Sequence, residues 1–209
     1  MTRVHIEQGT IEGIVNGGVH TFLGVPYAAA PTGDRRWRPP MAPESWEGVR
    51  EARHFGSVCP QRGGASFDLR TQEQSEDCLF LNVWTSTLAR EARQPVMVWI
   101  HGGGNLSGAG SEDAFDGTQL ARRGVAVVTF NYQLGAFGFL AHPDVGANFA
   151  VLDHVAALSW VASNIAAFGG DPSNVTIFGQ SAGALAVRTL LSVSRAGAVP
   201  SCNHAECGL

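Results

Sequence analysis

The chain has 209 residues, 44% of them hydrophobic and 15% charged, with a formal net charge of −4. That is the composition of an ordinary globular domain with enough apolar side chains for one sizeable core. With no clustered basic residues it offers little to nucleic acid, and no apolar run approaches the length that spans a bilayer.

The opening stretch, MTRVHIEQGTIEGIV, alternates as strands do and has no apolar core of signal-peptide type. The expectation is a cytoplasmic protein, or a secreted one if a leader precedes this sequence. Residues 1–30 read as short strands, with turns at Asn16-Gly17-Gly18 and Pro31-Thr32-Gly33-Asp34. Residues 31–76 are irregular and rich in Pro, Arg and Gly, and Trp37, Trp46 and Phe55 offer this segment apolar anchors. Glu76-Asp77 invites a structural ion pair with Arg36 or Arg38.

Strands are expected at LFLNVWT (79–85), at PVMVWI leading into the glycines of 101–104, and at VAVVTFN (125–131). In ANFAVLDHVAALSWVASNIAAF (147–168), Val151, Val155, Leu158, Ala162 and Ile165 recur at helical steps, and Gly169-Gly170-Asp171-Pro172 ends the helix. A strand at 174–178 and a helix from near Ala182 follow. Strands with continuous apolar runs, alternating with helices, predict an α/β fold: a largely parallel central sheet with helices on both faces and antiparallel N-terminal hairpins. After Ser181 the sequence shows no further strand, which predicts an unpaired sheet edge, uncovered apolar faces and poor solubility.

Two short motifs carry chemistry. Gly179-Gln180-Ser181-Ala182-Gly183 is a G-x-S-x-G sequence between a strand and a helix, the setting of a nucleophilic serine. His101-Gly102-Gly103-Gly104 follows a strand end, where unshielded backbone N–H groups stabilise a developing oxyanion. Either alone is a short pattern that a simple turn satisfies. Together, each at the C-terminal end of a strand, they point to Ser181 as nucleophile and to the amides of Gly103, Gly104 and Ala182 as oxyanion donors.

A serine needs a base. In this fold the order along the chain is serine, acid, histidine, and only His204 follows Ser181, with Glu206 after it in the wrong order. His101 reads as a shaper of the glycine loop, His154 as a half-buried or surface residue of the long helix, and Asp153 either as a support for the nearby loops or, more plainly, as a solvated or locally paired carboxylate. His101 and His142 are the least unfavourable substitutes for a base. Cys59 and Cys78 admit two readings. One is a disulfide, contributing about 3 kcal/mol through loop entropy; the other is a pair of thiols, as expected in the cytosol. Neither close cysteine pair has zinc-site spacing with histidines.

The sequence resembles the type-B carboxylesterase/cholinesterase family. The resemblance lies in FLGVPYAAAPTGDRRWRPP (22–40), SEDCLFLNVW (75–84), PVMVWIHGGG (95–104), NYQLGAFGFL (131–140) and LDHVAALSWVASNIAAFGGDPSNVTIFGQSAG (152–183). It implies an α/β-hydrolase fold, and hydrolysis of a small-molecule carboxylic ester through an acyl-enzyme on Ser181, with Gly103, Gly104 and Ala182 as oxyanion hole. It implies no metal or organic cofactor, and a Cys59–Cys78 disulfide in exported members. Members that have lost the serine act as binding domains, the alternative function for this chain. Four positions depart from the usual pattern: Gln180 for Glu, Gln133 for Arg, Asn105 for an aromatic, and Ala150 with His154 for Gly and Gln. Loss of the Arg threatens to leave a buried charge without its partner.

The family pattern fades after Leu191, so residues 1–193 are expected to be the N-terminal portion of one α/β-hydrolase domain and 194–209 a non-family tail. Read one base later from Ala198, the tail's codons allow LF-(R/H)-(R/H)-AIMQS, close to the family's LFHRAIxQSG. This predicts a frameshift near residues 192–197. The acid and histidine of the triad then fall outside these 209 residues, and the chain is expected to be inactive.

Overall fold

The structure, a computed structural model, describes residues 1–62 and 72–193 and the backbone of 202–207. Three strands open the chain: β1 (Thr2–Ile6), β2 (Gly9–Asn16) and β3 (Val19–Pro26), paired antiparallel. Gly17 and Gly18 both take positive φ, the two-residue turn whose twist suits a hairpin. β4 (Val49–Glu51) lies parallel to β2, and β5 (Phe80–Thr85) runs antiparallel to β3.

Next come β6 (Gln94–Ile100), β7 (Ala126–Phe130) and β8 (Gly170–Gln180). β7 lies between β5 and β6, and β8 lies on the other side of β6, parallel to it. All five residues of β7 are buried, which is why its apolar run is continuous rather than alternating. The helices are α1 (Thr118–Ala121), α2 (Gly135–Phe139), α3 (Phe149–Asn164) and α4 (Ala182–Ser192). α3 tightens into a 3₁₀ turn over Ile165–Phe168 and stops at Gly169, in the left-handed conformation.

The two faces of the sheet follow strand alternation. Val96, Val98, Val128 and Ile177 point to one side and pack with Leu158, Val161, Ile165 and Phe168 of α3 and its extension. Trp84 and Val127 point to the other, where Ala121 of α1 joins them. Helices therefore cover both faces, as expected, but among the described residues cover on the second is slight. There the Trp99 ring packs against those of Phe115 and Phe178, at separations of 5.0 and 4.9 Å, and stays half-buried.

Three expectations need correction. The edge of β8 is occupied: β9 (Cys202–Cys207) pairs with it in parallel, from Val175↔Cys202 to Gln180↔Cys207. The N–H and C=O groups along β8 accept any extended backbone, so side-chain pattern gave no warning of this strand. Phe55 is 41% exposed rather than an anchor, whereas Trp46 and Trp37 do hold the irregular segment, each donating Nε1–H to a carbonyl, of Thr10 and Ala136. Finally, the helical run Phe149–Phe168 is long and apolar enough to match a bilayer by length and composition, with 56% of its apolar window buried inside the fold. The Arg36–Glu76 pair forms as expected, with two bonds of 2.5 and 2.6 Å.

α4 reaches the sheet through backbone contact. A methyl group at Gly183 would collide with the carbonyl oxygen of Ile100 at the end of β6, and one at Gly179 would strike Gly183 and the same oxygen. By contrast nothing lies within 4 Å of such a methyl at Gly104, where only the positive φ of 63° opposes a side chain. Gly183→Ala should therefore lower the unfolding free energy by about 3 kcal/mol, and Gly104→Ala by about 1 kcal/mol. Urea titrations of both variants check this; equal losses would show that the close approach is not what matters.

Candidate functional site

Ser181 sits between β8 and α4 with φ 56° and ψ −121°, a conformation that a non-glycine residue adopts only under local strain of about 1–3 kcal/mol. The strain is held by its surroundings. The sheet fixes the approach, and Gly179 and Gly183 let the chain fold back over Ile100. Ser181 is half-buried, and among the described residues no side chain hydrogen-bonds to it. Ala182 is the first residue of α4, so its N–H has no partner within the helix.

The glycine loop lies against this turn. A methyl at Gly102 would stand 2.7 Å from Gln180 Oε1 and 3.2 Å from Ser181 Cβ. Gly103 and Gly104 both take positive φ, and the Gly103 carbonyl accepts the amides of Leu106 and Ser107, each at 3.1 Å. Among the described residues the N–H groups of Gly103 and Gly104 donate to nothing. Asn105, also at positive φ, accepts the Gly135 amide at 2.7 Å and so ties the loop to the segment after β7.

His101 supports the loop from inside. Its Nδ1 is 2.8 Å from the Gly102 carbonyl, its ring stacks on Tyr132 at 4.3 Å, and the Tyr132 hydroxyl donates to the His101 carbonyl at 2.9 Å. Burial lowers its pKa to about 4, so the ring is neutral near pH 7. The expectation that it shapes the loop fits this geometry. Tyr132, Gly108 and Gln61 were not foreseen. Gly108 leaves room for the His101 ring, and Gln61 brackets Gly108 with bonds to both its amide and its carbonyl. Only the glycine richness of 102–110 hinted at so tight a fold.

Asp153 and His154 are both deeply buried, against the solvated reading of the first and the half-buried or surface reading of the second, because α3 presents them to the sheet and not to solvent; Asp153 instead supports a loop. The Asp153 carboxylate accepts the Gln133 backbone amide at 3.0 Å and the Gln133 side-chain amide at 3.1 and 3.3 Å. A neutral amide thus stands where a cation was expected to be missed, and burial pushes the Asp153 pKa up to about 7 against the lowering effect of these bonds. Next to this, the Leu134 amide donates to Cys59 Sγ at 3.1 Å. Cys59 and Cys78 are buried free thiols. Cys78 interacts with the Cys59 thiol, and that contact together with burial pushes its pKa well up.

The remaining histidines are elsewhere: His5 on β1, His20 on β3, His54 exposed after β4, and His142 exposed beside Asp144. The side chains of His204 and Glu206 lie outside the described residues.

A serine on a strained strand-to-helix turn, beside a glycine loop at the C-terminal end of parallel strands, defines an α/β-hydrolase. Residues 1–199 match the model of the carboxylesterase family. The chain is 47% identical over 196 residues to fumonisin B1 esterase of Sphingopyxis macrogoltabida, an alignment spanning 90% of this chain and 36% of that protein. It is 46% identical over 203 residues to para-nitrobenzyl esterase of Bacillus subtilis strain 168, spanning 92% and 41%. Among solved structures, a thermophilic PNB esterase superposes with a TM-score of 0.88 at 44% identity, covering 95% of this chain and 42% of that one. The Geobacillus stearothermophilus carboxylesterase Est55 does so with 0.88 at 45% identity, covering 96% and 42%. The chain belongs to the carboxylesterase family, and it spans about two fifths of the length of these relatives.

The Asp153–Gln133 arrangement has a pH signature. With its folded pKa raised to about 7 from 3.8, Asp153 is protonated in the folded and unfolded states alike below pH 3.8, and folding there carries no penalty. As pH rises towards 7 only the folded state keeps the proton, and stability is lost; by about pH 8 the loss levels off near 4 kcal/mol. Asp153→Asn should flatten this fall. Urea titrations of both proteins from pH 5 to pH 8 measure it, and parallel curves would mean that the carboxylate is not the source.

Proposed function

We propose that this chain carries the nucleophile and oxyanion half of a serine carboxylesterase site. The observation that carries the reading is the packing of Gly102, next in sequence to the undonated amides of Gly103 and Gly104, against the strained Ser181 turn. Ser181 Oγ would attack the carbonyl carbon of a carboxylic ester, and the amides of Gly103, Gly104 and Ala182 would hold the resulting oxyanion. Collapse expels the alcohol, which takes up a proton, and leaves an acyl-serine; water then releases the acid and restores the hydroxyl. Two relatives named as esterases of small molecules support a small-molecule ester as substrate.

The base is the weak point. His101 and His154 are buried and neutral, with pKa values lowered to about 4 and about 3, and His101 is already bonded to the Gly102 carbonyl. Neither is placed to take the Ser181 proton. We therefore read the 209-residue chain as inactive by itself, although an oxyanion hole without a triad retains roughly 10³–10⁴-fold catalysis over water in related chemistry.

Fluorophosphonate labelling and p-nitrophenyl acetate hydrolysis test this. No burst and no covalent label are expected, and Ser181→Ala should leave the background rate within about twofold. A labelled Ser181, or a tenfold drop on substitution, would show that a base is at work and overturn the inactive reading.

A further inference from the structure

Three of the seven buried side-chain polar atoms without a partner, among the described residues, belong to one pair of rings: His101 Nε2 and both nitrogens of His154. His101 is 1% exposed and His154 2% exposed. Both rings pack against Tyr132, with centroids 4.3 and 4.5 Å from its own, and the two histidines are near enough for a charge on His101 to lower the pKa of His154. Phe130 closes the His154 ring from another side, edge-on at 5.8 Å.

The tautomers follow from the bonds. His101 Nδ1 faces a carbonyl oxygen, which only accepts, so Nδ1 carries the proton and Nε2 is a bare acceptor. A neutral His154 has one N–H and one lone pair, and the surrounding rings satisfy neither. Burying such groups unpaired costs about 1–3 kcal/mol each, and native structures meet the need with internal water.

We propose that an internal water site lies between His101 and His154, behind the glycine loop. The water donates one hydrogen bond to His101 Nε2 and exchanges a second with His154. Through it His154 acts as a positioning residue. It fixes the His101 ring, whose Nδ1–H holds the Gly102 carbonyl and hence the direction of the Gly103 and Gly104 amides. The water site stands on the orphaned nitrogens alone; its catalytic meaning rests on reading those amides as the oxyanion hole.

The test uses the 209-residue chain and needs no turnover. A crystal structure at about 1.5 Å should show a water within hydrogen-bond distance (about 3.2 Å) of His101 Nε2 and of one His154 nitrogen. Either a direct histidine–histidine bond or a dry contact would overturn the site. Amide hydrogen exchange reads the positioning role. His154→Leu should speed exchange at Leu106 and Ser107 by about tenfold while leaving Val98 in β6 unchanged. His154→Gln, which keeps a donor and an acceptor, should restore the wild-type rate. Unchanged exchange at Leu106 and Ser107 in the leucine variant would refute the positioning role. So would equal acceleration in both variants. If the leucine variant fails to fold, His154→Ala takes its place, with faster exchange at Leu106 and Ser107 expected and unchanged exchange refuting the role.

Discussion

The site depends on one approach of backbone to backbone. The carbonyl of Ile100, at the end of β6, occupies the space where side chains at residues 179 and 183 would otherwise stand. This contact sets how far α4 can descend onto the sheet. The descent forces Ser181 to positive φ and brings Gln180 against Gly102. The serine and the glycine loop are thus not two motifs that happen to be neighbours: the end of one strand shapes both.

Behind that contact the protein accepts a polar interior. Asp153, His101, His154, Tyr132 and the thiols of Cys59 and Cys78 lie buried under the glycine loop and the segment after β7. Their bonds go largely to backbone: Asp153 to the amide of Gln133, Tyr132 to the carbonyl of His101, Cys59 to the amide of Leu134. Irregular backbone is held by side chains here because no strand or helix partner reaches it. With Gln133 in place of a cation, the carboxylate at the centre is hydrogen-bonded but not neutralised, so this interior is sensitive to its own ionisation.

Much of this was legible beforehand. The apolar runs of β6, β7 and β8, the helical recurrence from Val151 to Ile165 and the Gly17-Gly18 turn are local signals, and the elements formed where they pointed. The site was legible as two glycine-bearing motifs at strand ends. What escaped depends on contacts distant in sequence. The burial of Asp153 and His154 is set by which side of α3 meets the sheet, and the apolar residues around them run nearly the whole way round that helix. The stack of His101 on Tyr132 joins residues 31 apart. Pairing of β9 with β8 is a backbone event that side-chain pattern does not encode.

The thinly covered face of the sheet has an optical consequence. Of the five tryptophans, Trp84 and Trp160 are enclosed in the core, while Trp37, Trp46 and Trp99 are half-buried. Trp99 alone of these lies on β6, between Phe115 and Phe178 and two residues before His101. Its indole N–H is already screened from solvent without a hydrogen-bond partner, and its share of the emission moves to the blue once anything apolar settles over the rest of the ring. The molecule carries its own gauge of whether its open side is dressed.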